Sequence, residues 1–243
     1  MASVWAIGDI HGQINHLTTL LEALPRQPGD LTLFIGDYID RGPDSAAVVR
    51  RVLEEYDAAP ENTILLWGNH EDMAVTRFPD CGIKAPSGLE YDPYDWYRNG
   101  GIEAMQSFGY TPPELFTAPC PADLKRLFGL LTVFWRPPMD RFPELSHCIY
   151  VHAGVLPGIT PERSSGEVML WIREDFLDYY DDSGRLVIHG HTPFRSVRVQ
   201  PDKMGIDTGA AYGGPLTALQ LPERRIYQSD GTGYVDSTDL MPL

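Results

Sequence analysis

The chain is short of positive charge: 19 Lys and Arg stand against 34 Asp and Glu, a formal charge of −15 over 243 residues. No nucleic-acid partner is therefore expected, since a phosphate backbone needs a cationic footprint. An anionic substrate is not excluded, because bound cations can set the local field against the overall charge. Long apolar runs are absent as well. Nothing approaches the ~18 uninterrupted apolar residues of a membrane span, and no membrane association is expected. The opening residues, Met1-Ala2-Ser3-Val4-Trp5, lack the basic segment and long apolar region of a signal peptide, so the cytoplasm is the expected location. Cysteine is scarce. Cys81, Cys120 and Cys148 are odd in number and far apart. They fit neither a disulfide framework nor Cys-x-x-Cys zinc spacing, and reduced thiols are expected. There is no fixed-period repeat and no low-complexity segment.

What the chain does have is apolar residue enough, 43% of the total, for one sizeable core. A strand is predicted over Val4–Gly8. Apolar residues at Ile14, Leu17, Leu20, Leu21 and Leu24 then mark one face of a helix, ended by Pro25 and Pro28-Gly29. A second strand is predicted over Leu31–Ile35. A second helix follows through Ala46, Val49, Val52, Leu53 and Tyr56, with Asp44 or Ser45 as its N-cap. Thr63–Trp67 is the third strand. Short, continuous apolar strands in a β-α-β-α-β order predict a parallel sheet covered on both faces.

Between about Thr76 and Pro121 the composition shifts to Pro, Gly, Tyr and Asp, with one helix-like piece near Trp96–Phe108. This stretch reads as a cap or insertion over the site within a single domain spanning 1–243. Its acidic, aromatic segment Tyr91–Tyr97 is expected to shape substrate access. Strands return at Leu131–Trp135, His147–His152, Leu186–His189, Val197–Gln200, Lys203–Asp207, Leu216–Leu221 and Arg225–Gln228. They predict a second, partly antiparallel sheet packed on the first.

Five strand candidates run into clusters of metal-type ligands: Gly8-Asp9-Ile10-His11-Gly12, Gly36-Asp37-Tyr38-Ile39-Asp40-Arg41-Gly42-Pro43, Gly68-Asn69-His70-Glu71, Val151-His152-Ala153-Gly154 and His189-Gly190-His191-Thr192. The first three are spaced by about 30 residues, the length of a βαβ unit, which sets Asp9, Asp37 and Asn69 side by side at the carboxyl ends of neighbouring strands. In extended backbone Asp9 and His11 point the same way. A carboxylate with an imidazole suits Mn²⁺, Fe²⁺ or Zn²⁺ better than Ca²⁺ or Mg²⁺. Asp37 is the best-placed bridge of a two-metal site. Asn69 offers a neutral oxygen. His70, the next residue at the end of its strand, points elsewhere and suits a general acid, with Asp40 to orient it and raise its pKa. Arg41 and Arg173 are candidate phosphate forks. His152 and either His189 or His191, which share a face, would close the second metal site.

In this order the motifs resemble the phosphoprotein phosphatase family of metallophosphoesterases. His152-Ala153-Gly154, Gly190-His191-Thr192 and Ile206-Asp207-Thr208-Gly209 resemble its bacterial and phage branch. The resemblance covers residues 4–221 and is weakest between Thr76 and Leu145. It implies an α/β fold of two packed mixed sheets flanked by helices, an α/β/β/α sandwich. It further implies two divalent metals, Mn²⁺ foremost, held by Asp9, His11 and Asp37 and by Asp37, Asn69, His152 and His191. His189 would then lie behind the ligands. Arg41, Arg173 and Asn69 would meet substrate, His70 would be the acid and Asp40 its partner. Asn99-Gly100-Gly101 resembles a substrate-side motif whose role is open. Eukaryotic members have Gly where Ala153 stands and a C-terminal groove without a clear counterpart here, so peptide specificity does not carry over.

The implied reaction is in-line hydrolysis of a phosphomonoester, foremost phosphoserine or phosphothreonine in a phosphoprotein, by a hydroxide bridging the metals. The rival is a symmetrical bis(5'-nucleosyl)-tetraphosphatase acting on dinucleoside polyphosphates. That sister group typically lacks the aspartate matching Asp40 and has Asp in place of Glu71, and both differences favour the phosphomonoester. A catalytically dead phosphoprotein-binding scaffold is a remote third reading.

Overall fold

The computed structural model describes residues 2–92 and 94–240. Met1, Pro93 of the acidic aromatic segment and residues 241–243 lie outside the described part. Strands β1 (Val4–Ile7), β2 (Leu31–Phe34) and β3 (Thr63–Leu65) are parallel, with Val4 opposite Leu31 and Thr32 opposite Thr63. The intervening helices are α1 (Ile14–Ala23) and α2 (Ser45–Ala58), and Asp44 caps α2 by accepting the Ala47 N–H at 2.8 Å. Helix α3 (Asn69–Arg77) follows β3, and α4 (Ile102–Ser107) and α5 (Ala122–Phe128) come next.

The second sheet contains β4 (Phe134–Trp135), β5 (Cys148–Val151), β6 (Leu186–His189), β7 (Arg198–Val199) and β8 (Lys203–Gly205) in the order β4-β5-β6-β8-β7. Short helices α6 (Gly166–Trp171) and α7 (Glu174–Leu177) lie between β5 and β6. The chain then returns to the first sheet through β9 (Leu216–Leu221), β10 (Arg225–Ser229) and β11 (Val235–Asp239), giving the order β11-β10-β9-β1-β2-β3.

Side-chain alternation explains the layers. Val4 and Ala6 of β1 join Leu31, Leu33, Tyr150, Ile188 and Met204 between the sheets, while Trp5 and Ile7 join Leu17, Leu20, Val48 and Val52 under α1 and α2. On the far side, Ile149, Val151 and Val187 pack on Met169 of α6 and Phe176 and Leu177 of α7. The result is the expected sandwich of helices, two mixed sheets and helices. Among the described residues no helix is long and apolar enough to cross a membrane.

Three details differ from the sequence reading. β3 ends at Leu65, and Asn69 opens α3 instead of closing a strand. β11, with four exposed residues, has no apolar pattern to reveal it. The 76–121 stretch starts inside α3, and its Trp96, Tyr97, Ala104, Met105 and Leu115 belong to the same apolar cluster as α1 and α2. The Trp96–Phe108 helical piece is present, broken by a kink at Gly100 (φ 114°) within Tyr97–Gly101 before α4 begins.

Candidate metal centre

The loops leaving β1 and β2 are laced together. The amides of Ile10 and His11 both donate to the Asp37 carbonyl, at 3.0 and 2.8 Å, and Gly12 donates to the Tyr38 carbonyl at 2.8 Å. Such tight turns force unusual backbone. Among the described residues, six non-glycine residues have positive φ, and five of them are His11, Asp37, Asp40, Arg41 and His191. Concentrated strain of this kind is a mark of functional sites. It also corrects the alternation argument for Asp9 and His11: His11, at φ 47°, is not in extended backbone.

Two groups of buried donors result, His11 with Asp37 and His70, and Asp37 with His152 and His191, each with its ligand atoms within 4.8 Å of one another. Asp37 is common to both. Its Oδ2 lies 3.3 Å from His11 Nε2 and its Oδ1 3.4 Å from His152 Nε2. Asn69 Oδ1 is 2.9 Å from both His152 Nε2 and His191 Nδ1, so the amide oxygen lies beside the second group. Asp9 falls outside both groups. Its Oδ2 accepts the His191 amide at 2.9 Å, while its Oδ1 is buried without a hydrogen-bond partner. That oxygen occupies the space beside Gly190, where a Cβ would sit 1.9 Å from it.

The donor set fits cations. His11 and His152 each donate Nδ1–H to a backbone carbonyl, Ile39 at 2.9 Å and Ile35 at 3.0 Å, which leaves Nε2 as a lone pair facing inward. His152 Nε2 and Asn69 Oδ1 are then two acceptors 2.9 Å apart, an arrangement that a shared cation stabilises. Burial pushes His11 down to about 4 and lowers His152 as well, keeping both imidazoles neutral. Burial opposes ionisation of Asp37, but His152, His70, His11 and Arg41 outweigh it and hold the carboxyl below its usual range.

His70 is fully buried, with Nδ1 2.6 Å from Asp40 Oδ2 and Nε2 without a partner. Its ring stands edge-on to His11 at 4.7 Å. The pairing with Asp40 is as expected, whereas the shift is opposite: burial lowers the His70 pKa well below its ordinary value. Asp40 moves up, through burial and the charges of Glu71 and Asp37. Desolvation thus outweighs the mutual attraction of the pair. Arg41 and Arg173 are both exposed at the site. Arg41 Nη1 lies 2.7 Å from His11 Nε2, with its guanidinium 5.5 Å from the Tyr212 ring centre, and Arg173 Nη1 reaches Thr192 Oγ1 at 3.3 Å.

His189 is not part of the constellation. Its ring packs edge-on to Phe176 at 5.0 Å and its Nδ1 meets the Gly190 carbonyl at 3.1 Å. Asp207, buried at the end of β8, is a site residue that sequence reasoning quoted without a role. Burial and the Asp37 charge push it up to about 6, and its own charge adds to the burial that raises Asp9. Its position just past a strand, before Thr208-Gly209, was the available signal.

The family description Calcineurin-like phosphoesterase matches residues 2–207. An asymmetrical bis(5'-nucleosyl)-tetraphosphatase PrpE from Oceanobacillus iheyensis is 28% identical, over 90% of this chain and 88% of its own. Serine/threonine-protein phosphatase 1 of Salmonella typhimurium is 30% identical, over 90% of this chain and 91% of its own. Two solved structures share the fold. A cold-active protein-tyrosine phosphatase from a Shewanella species has a TM-score of 0.62 at 17% identity, covering 98% of this chain and 80% of its own. A Saccharomyces cerevisiae protein serine/threonine phosphatase has 0.60 at 16%, covering 100% and 81%. The PrpE relative is described as asymmetrical, which corrects the rival activity expected from the sequence as symmetrical.

Proposed function

The chain belongs to the calcineurin-like phosphoesterase family and is a metallophosphoesterase, and from that premise we propose that it hydrolyses phosphoserine and phosphothreonine in phosphoproteins. The observation that carries this reading is the buried Asp40–His70 pair, with His70 Nε2 unpartnered beside the donor group that contains Asp37. A serine or threonine alkoxide is a strongly basic leaving group and needs a proton as the P–O bond breaks. A nucleotide phosphate is a weakly basic leaving group and needs little such help. A built-in acid is therefore worth most against an alcohol ester. The Salmonella relative, named a serine/threonine phosphatase, supports the same choice.

In this proposal Asp9, His11 and Asp37 hold one divalent ion, and Asp37, Asn69, His152 and His191 the other. When bound, such a pair supplies Lewis acidity toward phosphoryl oxygens and a nucleophile from water near neutral pH. Mn²⁺ is the ion we assign for assay, and Fe²⁺ or Zn²⁺ suit the same mixed nitrogen and oxygen donors. Arg41 and Arg173 clamp the equatorial phosphoryl oxygens, where their planar forks match the charge that builds up, and Asn69 meets the same substrate phosphate. With Asp40 raised and His70 lowered by burial, the proton shared by the pair rests on Asp40. His70 therefore gives its Nε2 proton to the leaving oxygen as its Nδ1 takes up the proton from Asp40, which also fixes the ring orientation. The 76–121 segment forms one wall of the substrate approach within a single domain. A reducing, cytoplasmic setting suits the three free, buried thiols.

The PrpE relatives support a second reading, asymmetrical hydrolysis of dinucleoside tetraphosphates. The deciding experiment compares a phosphoserine peptide, p-nitrophenyl phosphate and a dinucleoside tetraphosphate across a Mn²⁺ titration. The proposal expects the peptide to give the highest kcat/KM. A dinucleoside tetraphosphate that exceeds it would reverse the order of the two readings.

A further inference from the structure

The insertion supplies more than a wall. Trp96, 56 residues beyond Asp40, donates its indole Nε1–H to both Asp40 carboxylate oxygens at 3.0 Å. The indole is 2% exposed and stands edge-on to Phe78 at 5.5 Å. The indole also packs on Gly101, where a Cβ would come within 2.6 Å of the ring. Gly100, at φ +114°, brings the same turn so close to the second ligand loop that a Cβ there would stand 2.5 Å from the Arg41 amide nitrogen and 2.8 Å from Asp40 Cβ. The Asn99-Gly100-Gly101 motif thus docks the insertion on the backbone that carries Asp40 and Arg41.

We propose that Trp96 is a positioning residue for the acid: by holding both oxygens of Asp40 it fixes the carboxylate plane, and through Asp40 it aims His70 Nε2 at the leaving group. The inference rests on the reading of His70 as that acid. A carboxylate held only by His70 would be free to rotate, and one buried oxygen would be left without a donor.

Trp96→Phe keeps the ring and removes the N–H. With Mn²⁺-loaded enzyme, kcat for phenyl phosphate, whose leaving group is basic, is expected to fall by about tenfold or more. The loss for p-nitrophenyl phosphate, whose leaving group is weakly basic, is expected to stay below about threefold, with KM and metal content unchanged. On the His70→Asn background, Trp96→Phe should cost nothing further for phenyl phosphate. Equal losses on the two esters, or a full additional loss in the double variant, would overturn the proposal while leaving His70 as the acid. Near-wild-type activity of His70→Asn alone would overturn both. Should Trp96→Phe fail to fold, indole hydrogen exchange in the wild-type holoenzyme decides. Slow exchange at Trp96 is expected, and exchange as fast as an exposed indole contradicts the clamp.

Discussion

Glu71 Oε2 accepts the backbone N–H of Asp37 at 2.9 Å and that of Gly68 at 3.1 Å, while Oε1 accepts Tyr38 and Ile39 at 2.9 and 3.2 Å. One fully buried carboxylate therefore ties the loop after β2 to the start of α3. Asp37 and Asn69, the residues proposed to meet at the metals, owe their relative position to it. Burial and the Asp37 charge push Glu71 up to about 8, and the backbone donors oppose that shift.

Glu71→Gln keeps the size but turns an NH₂ toward two of the four amides. The expected outcome is a loss of roughly 2–3 kcal/mol in unfolding free energy together with weaker metal retention. Urea denaturation and metal analysis after gel filtration check both. An unchanged transition midpoint would mean that the strap carries no stability.

His70→Asn removes the proposed proton donor without touching a proposed ligand. kcat on a phosphoserine peptide should fall by about 10²–10⁴-fold, with two ions still bound. Activity within a few-fold of wild type would take His70 out of the mechanism.

Arg173 is exposed, and its hydrogen bond to Thr192 is long at 3.3 Å. Arg173→Ala should lower kcat/KM by about 10²-fold while moving stability by no more than about 0.5 kcal/mol. Steady-state kinetics and a thermal melt separate the two. A variant with unaltered kcat/KM would leave phosphate binding to Arg41 and the metals.

His189 gives a pH dependence of known sign. Burial pushes its pKa down to about 4, against an ordinary value of 6.5. Between those values the unfolded chain binds the extra proton and the folded one does not, so stability rises with pH through this window and is lost on acidification. The contribution approaches roughly 3 kcal/mol below pH 4. In urea titrations from pH 7 to 4, wild type should lose stability relative to His189→Asn by an amount of that order. Parallel curves would show that the ring is not held neutral.

The first sheet was legible because its parallel strands are covered on both faces and read as short apolar blocks, with helices of clear period between them. Asp9, His11, Asp37, Asn69, His70, His152 and His191 stood out because they lie just past those blocks, five of the seven beside a glycine. The directions of the side chains were not. His11 and Asp37 sit at positive φ, where strand alternation says nothing, and Asn69 opens a helix whose first four residues, Asn69 to Asp72, are polar yet buried, so no amphipathic pattern announces it. The choice between His189 and His191 turned on the positive φ of His191, 64°, which alternation cannot see. Trp96 was hidden for another reason: its partner Asp40 is far away in sequence, and the link exists only once the insertion has docked.

The most direct test of the account is anomalous diffraction at the manganese edge from crystals grown with Mn²⁺. The expected result is two peaks with the Asp37 carboxylate between them, one near His11 and the other near Asn69, His152 and His191. A map that leaves Asp37 away from any ion, or shows a lone ion elsewhere, would contradict the paired centre on which the assigned chemistry depends.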